Sequence, residues 1–152
     1  MFNIYIRPLE LSDSNVSWKW RNDIELWKFT ASKPNTFVTQ EVELLWLQNA
    51  LKEKNSKRFA IIVDDNYVGN IQLTDIFNLN AQYHIFIGNK DYWGKGIAFH
   101  ATQQIIIYCK TVLFLKRIYL YVNPLHKKAI NLYLKSGFLI VSDEIKMELI
   151  LS

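Results

Sequence analysis

Cysteine is nearly absent from this chain: its 152 residues include one, Cys109. An internal disulfide is therefore excluded, which suits a reducing cytoplasm. Proline and glycine are also scarce, at three and five residues, and no Pro/Gly/Ser-rich tract marks a linker. Repeats and low-complexity tracts are missing. Uncharged apolar runs such as Thr111 to Leu115 are far too short to span a membrane. The N-terminus lacks the basic, apolar, small-residue order of a secretory signal. No block of one charge sign occurs. The net charge is only +4, and the densest basic spots are Lys110, Lys116-Arg117 and Lys127-Lys128. Such scatter does not make a nucleic-acid stripe. The three histidines and the one cysteine are too dispersed for a metal site, and no GxSxG nucleophile elbow appears. The expectation is one cytoplasmic domain, residues 1–152, with no metal, nucleic-acid or membrane partner.

What is present is core-forming material. Half the residues are hydrophobic and 14% are aromatic, enough for one packed domain. Alternation predicts a strand over Phe2 to Arg7, ended by Pro8. Ser12 or Asp13 caps a helix to about Asn22, and Ile24 to Phe29 adds a turn. Thr39 caps a second helix with Val42, Leu45, Trp46 and Asn49–Ala50 on one face. Arg58 to Val63 and Tyr67 to Thr74 form a hairpin around Asp64-Asp65-Asn66. Ala81 to Ile87 is a fourth strand, and Ile97 to Thr111 a long central helix on which Cys109 is a packing residue. Arg117 to Val122 is a fifth strand. His126 to Ser136 is a last helix stopped by Gly137. Phe138 to Ser142 and Lys146 to Leu151 close the chain as a hairpin. The order β-α-α-β-β-β-α-β-α-β-β predicts an α/β (α+β) fold. Its sheet is mixed and mostly antiparallel, with strands four and five parallel across the central helix.

The segment Tyr92-Trp93-Gly94-Lys95-Gly96-Ile97-Ala98 joins strand four to that helix. Glycines allow close backbone approach, and the N–H groups of the turn and the helix dipole suit a phosphate. Lys95 adds a point charge. Taken alone, the same turn also reads as a tight strand-to-helix connection. A GxGxxG fingerprint is excluded because position 99 is Phe, and a GxxxxGK[ST] loop because Gly96 follows Lys95.

Further pieces stand at fixed order. They are a strand ending in Val122-Asn123, the run Ala129-x-x-x-Tyr133-x-x-x-Gly137-Phe138, the Ile6-Arg7-Pro8-Leu9 opening and Tyr67-x-Gly69. With the Trp-Gly-Lys-Gly-Ile-Ala turn, they closely resemble the GNAT superfamily of acyl-CoA-dependent N-acetyltransferases. Trp93 points to the branch that holds ribosomal-protein N-terminal, spermidine and amino-sugar acetyltransferases. The resemblance implies helices on both faces of the sheet, with strands four and five splayed around the acyl-CoA arm. It implies acetyl-CoA as co-substrate and direct attack by an amine in a ternary complex. The cofactor-binding set it implies is Ile87, Trp93, Gly94, Lys95, Gly96, Ile97, Ala98, Asn123 and His126. His126 stands where the family more often has Asn or Ser.

Acetyl transfer needs a neutral amine, a stabilised oxyanion and a protonated leaving thiolate. Tyr133 matches the tyrosine that many relatives use as the acid; the plainer reading is a core aromatic. Relatives commonly carry Glu and Gly where this chain has Gln82 and His84. Gln82 cannot take a proton. His84 shares its strand face and titrates near neutrality, so it replaces the carboxylate or is simply a half-buried structural histidine. The Trp20-Arg21-Asn22 segment resembles acetyltransferases of nucleotide-linked amino sugars. There the aromatic stacks and Arg21 pairs with phosphate; otherwise the tryptophan fills the core. The expected acceptor is the primary amine of a small molecule, and the expected state a monomer or homodimer. The alternatives are a protein N-terminal acetyltransferase and a catalytically silent acyl-CoA-binding module.

Overall fold

A computed structural model describes residues 1–29, 35–142 and 145–151. The elements are β1 (Ile4–Pro8), α1 (Ser14–Arg21), α2 (Gln40–Ala50), β2 (Lys57–Val63), β3 (Asn66–Phe77), β4 (Asn80–Ile87), α3 (Ile97–Thr111), β5 (Arg117–Tyr121), α4 (Lys127–Lys135), β6 (Leu139–Ile140) and β7 (Lys146–Ile150). Single 3-10 turns lie at Leu11–Asp13, Ile24–Trp27 and Lys90–Tyr92. One seven-stranded sheet runs in the order β1-β2-β3-β4-β5-β7-β6. Every pairing is antiparallel except β4 with β5.

The turns follow from backbone chirality. Asp64 and Asp65 both take positive φ, 48° and 68°, between the paired residues Val63 and Asn66. Two such residues give the twist that a two-residue hairpin needs. The β3–β4 hairpin repeats the device at Asn78 and Leu79. Side chains alternate across β2. Phe59, Ile61 and Val63 join the main core with Ile97, Ala101, Ile105 and Cys109 of α3, while Ala60 and Ile62 pack with Leu9 and Leu47 on the other face. Helices thus cover both faces. Cys109 is fully buried and its thiol is pushed up to about 12 by desolvation, so it is a packing residue.

Two features lie beyond local pattern. The outer edge of β1 is closed by Gln104 of α3, whose amide accepts from Ile6 N (3.1 Å) and donates to Ile4 O (2.8 Å). The buried stripe of α2 differs from the apolar face expected. It consists of Glu43, Leu47 and Ala50, whereas Val42, Leu45 and Trp46 are exposed. Leu47 packs with Leu9, Ala60 and Ile62, and Glu43 is drawn inward by Arg21 of α1, 3.2 Å away.

Candidate active site

After Ile87 the chain leaves the sheet through two hydrogen bonds, from Gly88 N and Asn89 N to Val68 O (2.8 and 3.0 Å). Asn89 then caps the short turn by accepting from Asp91 N. Trp93 reaches back, its indole N–H donating to Ile87 O at 2.9 Å. Trp93 therefore fixes the entry to the glycine turn, with its ring half-exposed. Gly94 and Gly96 follow with φ of +72° and +77°, and a Cβ at either would meet nothing within 4 Å. Gly96 is the N-cap of α3 and brings no side chain to its first turn. The N–H groups of Ile97 and Ala98 belong to that first turn, where helix geometry leaves donors without intrahelical partners. The site is an open backbone cradle at the positive end of a 15-residue helix. The side chain of Ile97 is buried in the core, and only its backbone is available. Lys95 lies aside, its ammonium 5.9 Å from the Phe2 ring and 6.0 Å from Tyr92. It borders a cleft of about 500 Å³ shared with Phe2, Val16, Tyr67 and Tyr92.

Beside this cradle the sheet opens. β4 and β5 pair only from Asn80–Gln82 to Arg117–Tyr119, although β4 runs on to Ile87 and β5 to Tyr121. Tyr83 is the first β4 residue past the pairing, and Tyr133 of α4 meets it edge-on at 5.8 Å. Two hydroxyls lie here with different duties. Thr102 Oγ1 donates to Ala98 O, so the 2.6 Å bond between Tyr83 and Thr102 uses the tyrosine's proton. Tyr83 is thereby committed. The Tyr133 hydroxyl has no hydrogen bond among the described residues, and burial pushes its pKa up to about 12. The helix stop holds that ring. Gly137 takes φ +103°, Phe138 N donates to Tyr133 O at 3.0 Å, and the buried Phe138 ring packs on Tyr133.

Gln82 and His84 alternate with Tyr83 and so lie on the opposite face of β4 from Tyr133. They pair with Thr74 and Gln72 of β3. His84 Nε2 is 2.8 Å from Thr74 Oγ1. Burial lowers its pKa from 6.5, the Arg58 charge lowers it further, and Asp75 opposes. Asn123 folds its Oδ1 onto Leu125 N (2.9 Å) and its carbonyl onto His126 N, shaping the entry to α4. His126 stacks on Phe29 at 4.6 Å and 19°. Burial, then Lys128, lowers its pKa.

The three residues expected at the acceptor site have separate fates. Trp20 is buried against Tyr67 and Phe86 and occupies the space that the missing Cβ of Gly88 leaves. The Asn22 amide clasps both N and O of Val38 and also Trp18 O. Arg21 is partly exposed, its side chain at 24%. It faces Glu43 and lies over the rings of Trp46 (4.6 Å) and Trp27 (5.8 Å). Arg58 and Gln72, cross-strand partners on β2 and β3 with Gln72 opposite His84, escaped sequence reasoning. A lone arginine in a strand carries no signal until register sets its neighbours.

Among the described residues no His/Cys/Asp/Glu group fits a metal ion, and no helix is long and apolar enough to cross a membrane. The Acetyltransferase (GNAT) domain family matches residues 3–139. Spermidine N(1)-acetyltransferase of Escherichia coli K12 is 28% identical over 138 residues, covering 90% of this chain and 73% of that protein. An uncharacterized N-acetyltransferase, p20, of Bacillus licheniformis is 33% identical over 132 residues, 84% of this chain and 74% of its own. Among solved structures, spermidine N-acetyltransferase of Vibrio cholerae with CoA and spermine shares the fold with a TM-score of 0.87. The match covers 97% of this chain and 95% of that one at 21% identity.

Proposed function

The chain belongs to the GNAT acetyltransferase family, and on that premise we propose that it transfers the acetyl group of acetyl-CoA to the primary amine of a small molecule, by direct attack in a ternary complex. One observation carries this reading. The open Gly94/Gly96 cradle at the start of α3 adjoins the gap between β4 and β5, and a tyrosine whose hydroxyl has no partner among the described residues stands at that gap.

In this reading the N–H groups of residues 94–98 hold the pyrophosphate of acetyl-CoA. The amine nitrogen attacks the thioester carbon and the C–S bond breaks. Tyr133 gives its phenolic proton to the departing sulfur. Its raised pKa keeps it protonated at neutral pH, the state an acid must be in. Attack and departure involve different sides of the reacting carbon. A base on the His84 face and an acid on the Tyr133 face suit that geometry. His84, held largely neutral by burial and by Arg58, accepts the amine's proton directly or through water. Gln82 orients without titrating.

The nucleotide-linked amino sugar loses its support here, because Trp20 and Asn22 are consumed by packing. Spermidine enters the acceptor panel because relatives of that name align along most of the chain. The experiment is release of free CoA thiol from acetyl-CoA in the presence of spermidine, ethanolamine, phosphoethanolamine and a UDP-amino sugar. Thiol release that depends on one of these amines supports transfer. Tight acetyl-CoA binding with no turnover on any amine would instead make the chain a silent acyl-CoA-binding module.

A further inference from the structure

Two buried side-chain atoms lack a hydrogen-bond partner among the described residues, Glu43 Oε2 and Arg58 Nε. Both belong to one cluster around Trp46. Arg21 lies over the indole at 4.6 Å and Arg58 at 5.3 Å. Glu43 at least faces the Arg21 charge at 3.2 Å. The Arg58 side chain is only 10% exposed, and its Nε has nothing. A buried donor left unmade costs stability, so its retention beside a candidate active site calls for a ligand.

The guanidinium's other bonds define what is missing. Nη1 donates to the Gln72 amide. Nη2 has a long contact, 3.5 Å, with Glu53 Oε2, whose own side chain is half exposed. Nε and Nη2 form the side-on edge that grips a carboxylate or phosphate with two parallel bonds. On Arg58 this edge is half filled, by a poor contact from a surface side chain. The head also lies close to the candidate chemistry. It reaches Gln72 on β3, and His84 is Gln72's partner on β4, about 5 Å across one strand spacing.

We propose that the acceptor is a compact amine carrying a carboxylate or phosphate, and that the Nε–Nη2 edge of Arg58 receives this anionic group while the amine lies at His84. The proposal rests on the acetyltransferase reading and narrows it. Under it, a polycation such as spermidine meets the charges of Arg58 and Arg21 as well as the carboxylates Glu43, Glu53 and Asp75, and binds more weakly than an amine that carries its own anion. Glu53 is the placeholder that the ligand's anion displaces.

The test uses a matched pair that differs only in the phosphate, with spermidine as the polycation. Phosphoethanolamine, ethanolamine and spermidine are titrated by calorimetry into the protein saturated with CoA, and the same amines are assayed for thiol release from acetyl-CoA. Wild type is expected to bind phosphoethanolamine at least about tenfold tighter than ethanolamine, or about 1.4 kcal/mol. Arg58→Gln should collapse that ratio to near one. Arg58→Lys should leave an intermediate ratio, because it keeps the charge without the fork. Glu53→Ala should hold or raise the ratio by removing the competitor. Thermal melts confirm that each variant is folded. If Arg58→Gln does not fold, wild type and Glu53→Ala still decide. A wild-type ratio near one, spermidine bound more tightly than phosphoethanolamine, or a Glu53→Ala ratio that collapses would overturn the proposal. These outcomes come from binding. Absence of thiol release with every amine would instead overturn the acetyltransferase reading.

Discussion

Replacing Gly96 with valine separates the glycine turn's conformational role from its ligand role. Gly96 has φ +77°, and a Cβ there meets nothing within 4 Å. No clash opposes the added Cβ, so at that atom the cost is backbone strain. A residue with a Cβ in the left-handed region costs about 1–2 kcal/mol, and β-branching places valine at the upper end. If the backbone keeps its φ, the free protein should melt roughly 2–8 °C lower, at about 2–4 °C per kcal/mol for a domain of this size. An isopropyl group then stands in front of the N–H groups that open α3. If the backbone relaxes instead, stability recovers but those N–H groups turn away. Either route should weaken acetyl-CoA binding about tenfold or more, equivalent to about 1.4 kcal/mol. Gly96→Ala should fall between wild type and valine. Calorimetry at 25 °C together with a thermal melt of the free protein reads both quantities. A folded Gly96→Val protein with wild-type affinity would refute the assignment of this turn to the cofactor.

Tyr133→Phe removes a hydroxyl with no described partner, so the melting temperature should barely change, while kcat falls on the order of a hundredfold with acetyl-CoA affinity kept. Wild-type turnover in that variant would leave Tyr133 as packing. For His84 the sign is set by its depressed pKa. The base works deprotonated, so kcat/KM should be full well above pH 6.5 and fall as pH drops through the lowered value. His84→Gln should abolish that acid limb, and an unchanged pH profile would make the histidine structural. Gln104→Ala strips two hydrogen bonds from the edge of β1 and should cost about 1–3 kcal/mol, read as a lower denaturant midpoint at unchanged slope. A midpoint equal to wild type would mean that water closes that edge equally well.

Elements whose causes are local were legible in the sequence. The central helix occupies Ile97–Thr111 as its periodicity predicts. The Asp64-Asp65 turn, the Thr39 cap and the Gly137 stop fall where backbone chirality and capping chemistry put them. The glycine turn was readable for the same reason, since φ and the missing Cβ belong to the residue itself. Partners fixed by register and long-range packing were not readable. The stripe α2 buries was misjudged because a carboxylate, Glu43, lies within it, drawn in by an arginine on another helix. Trp20 and Asn22 resembled an acceptor site until tertiary packing committed both, one to the space above Gly88 and the other to the Val38 backbone. Alternation along β4 set Gln82 and His84 apart from Tyr133, but only the short β4–β5 pairing opened the gap between those two strands. Arg58 acquired a meaning only when three strands came into register beside it. A side chain's conformational limits travel with its residue, while its partners are chosen by the fold, and the candidate site of this protein is built mostly from such choices.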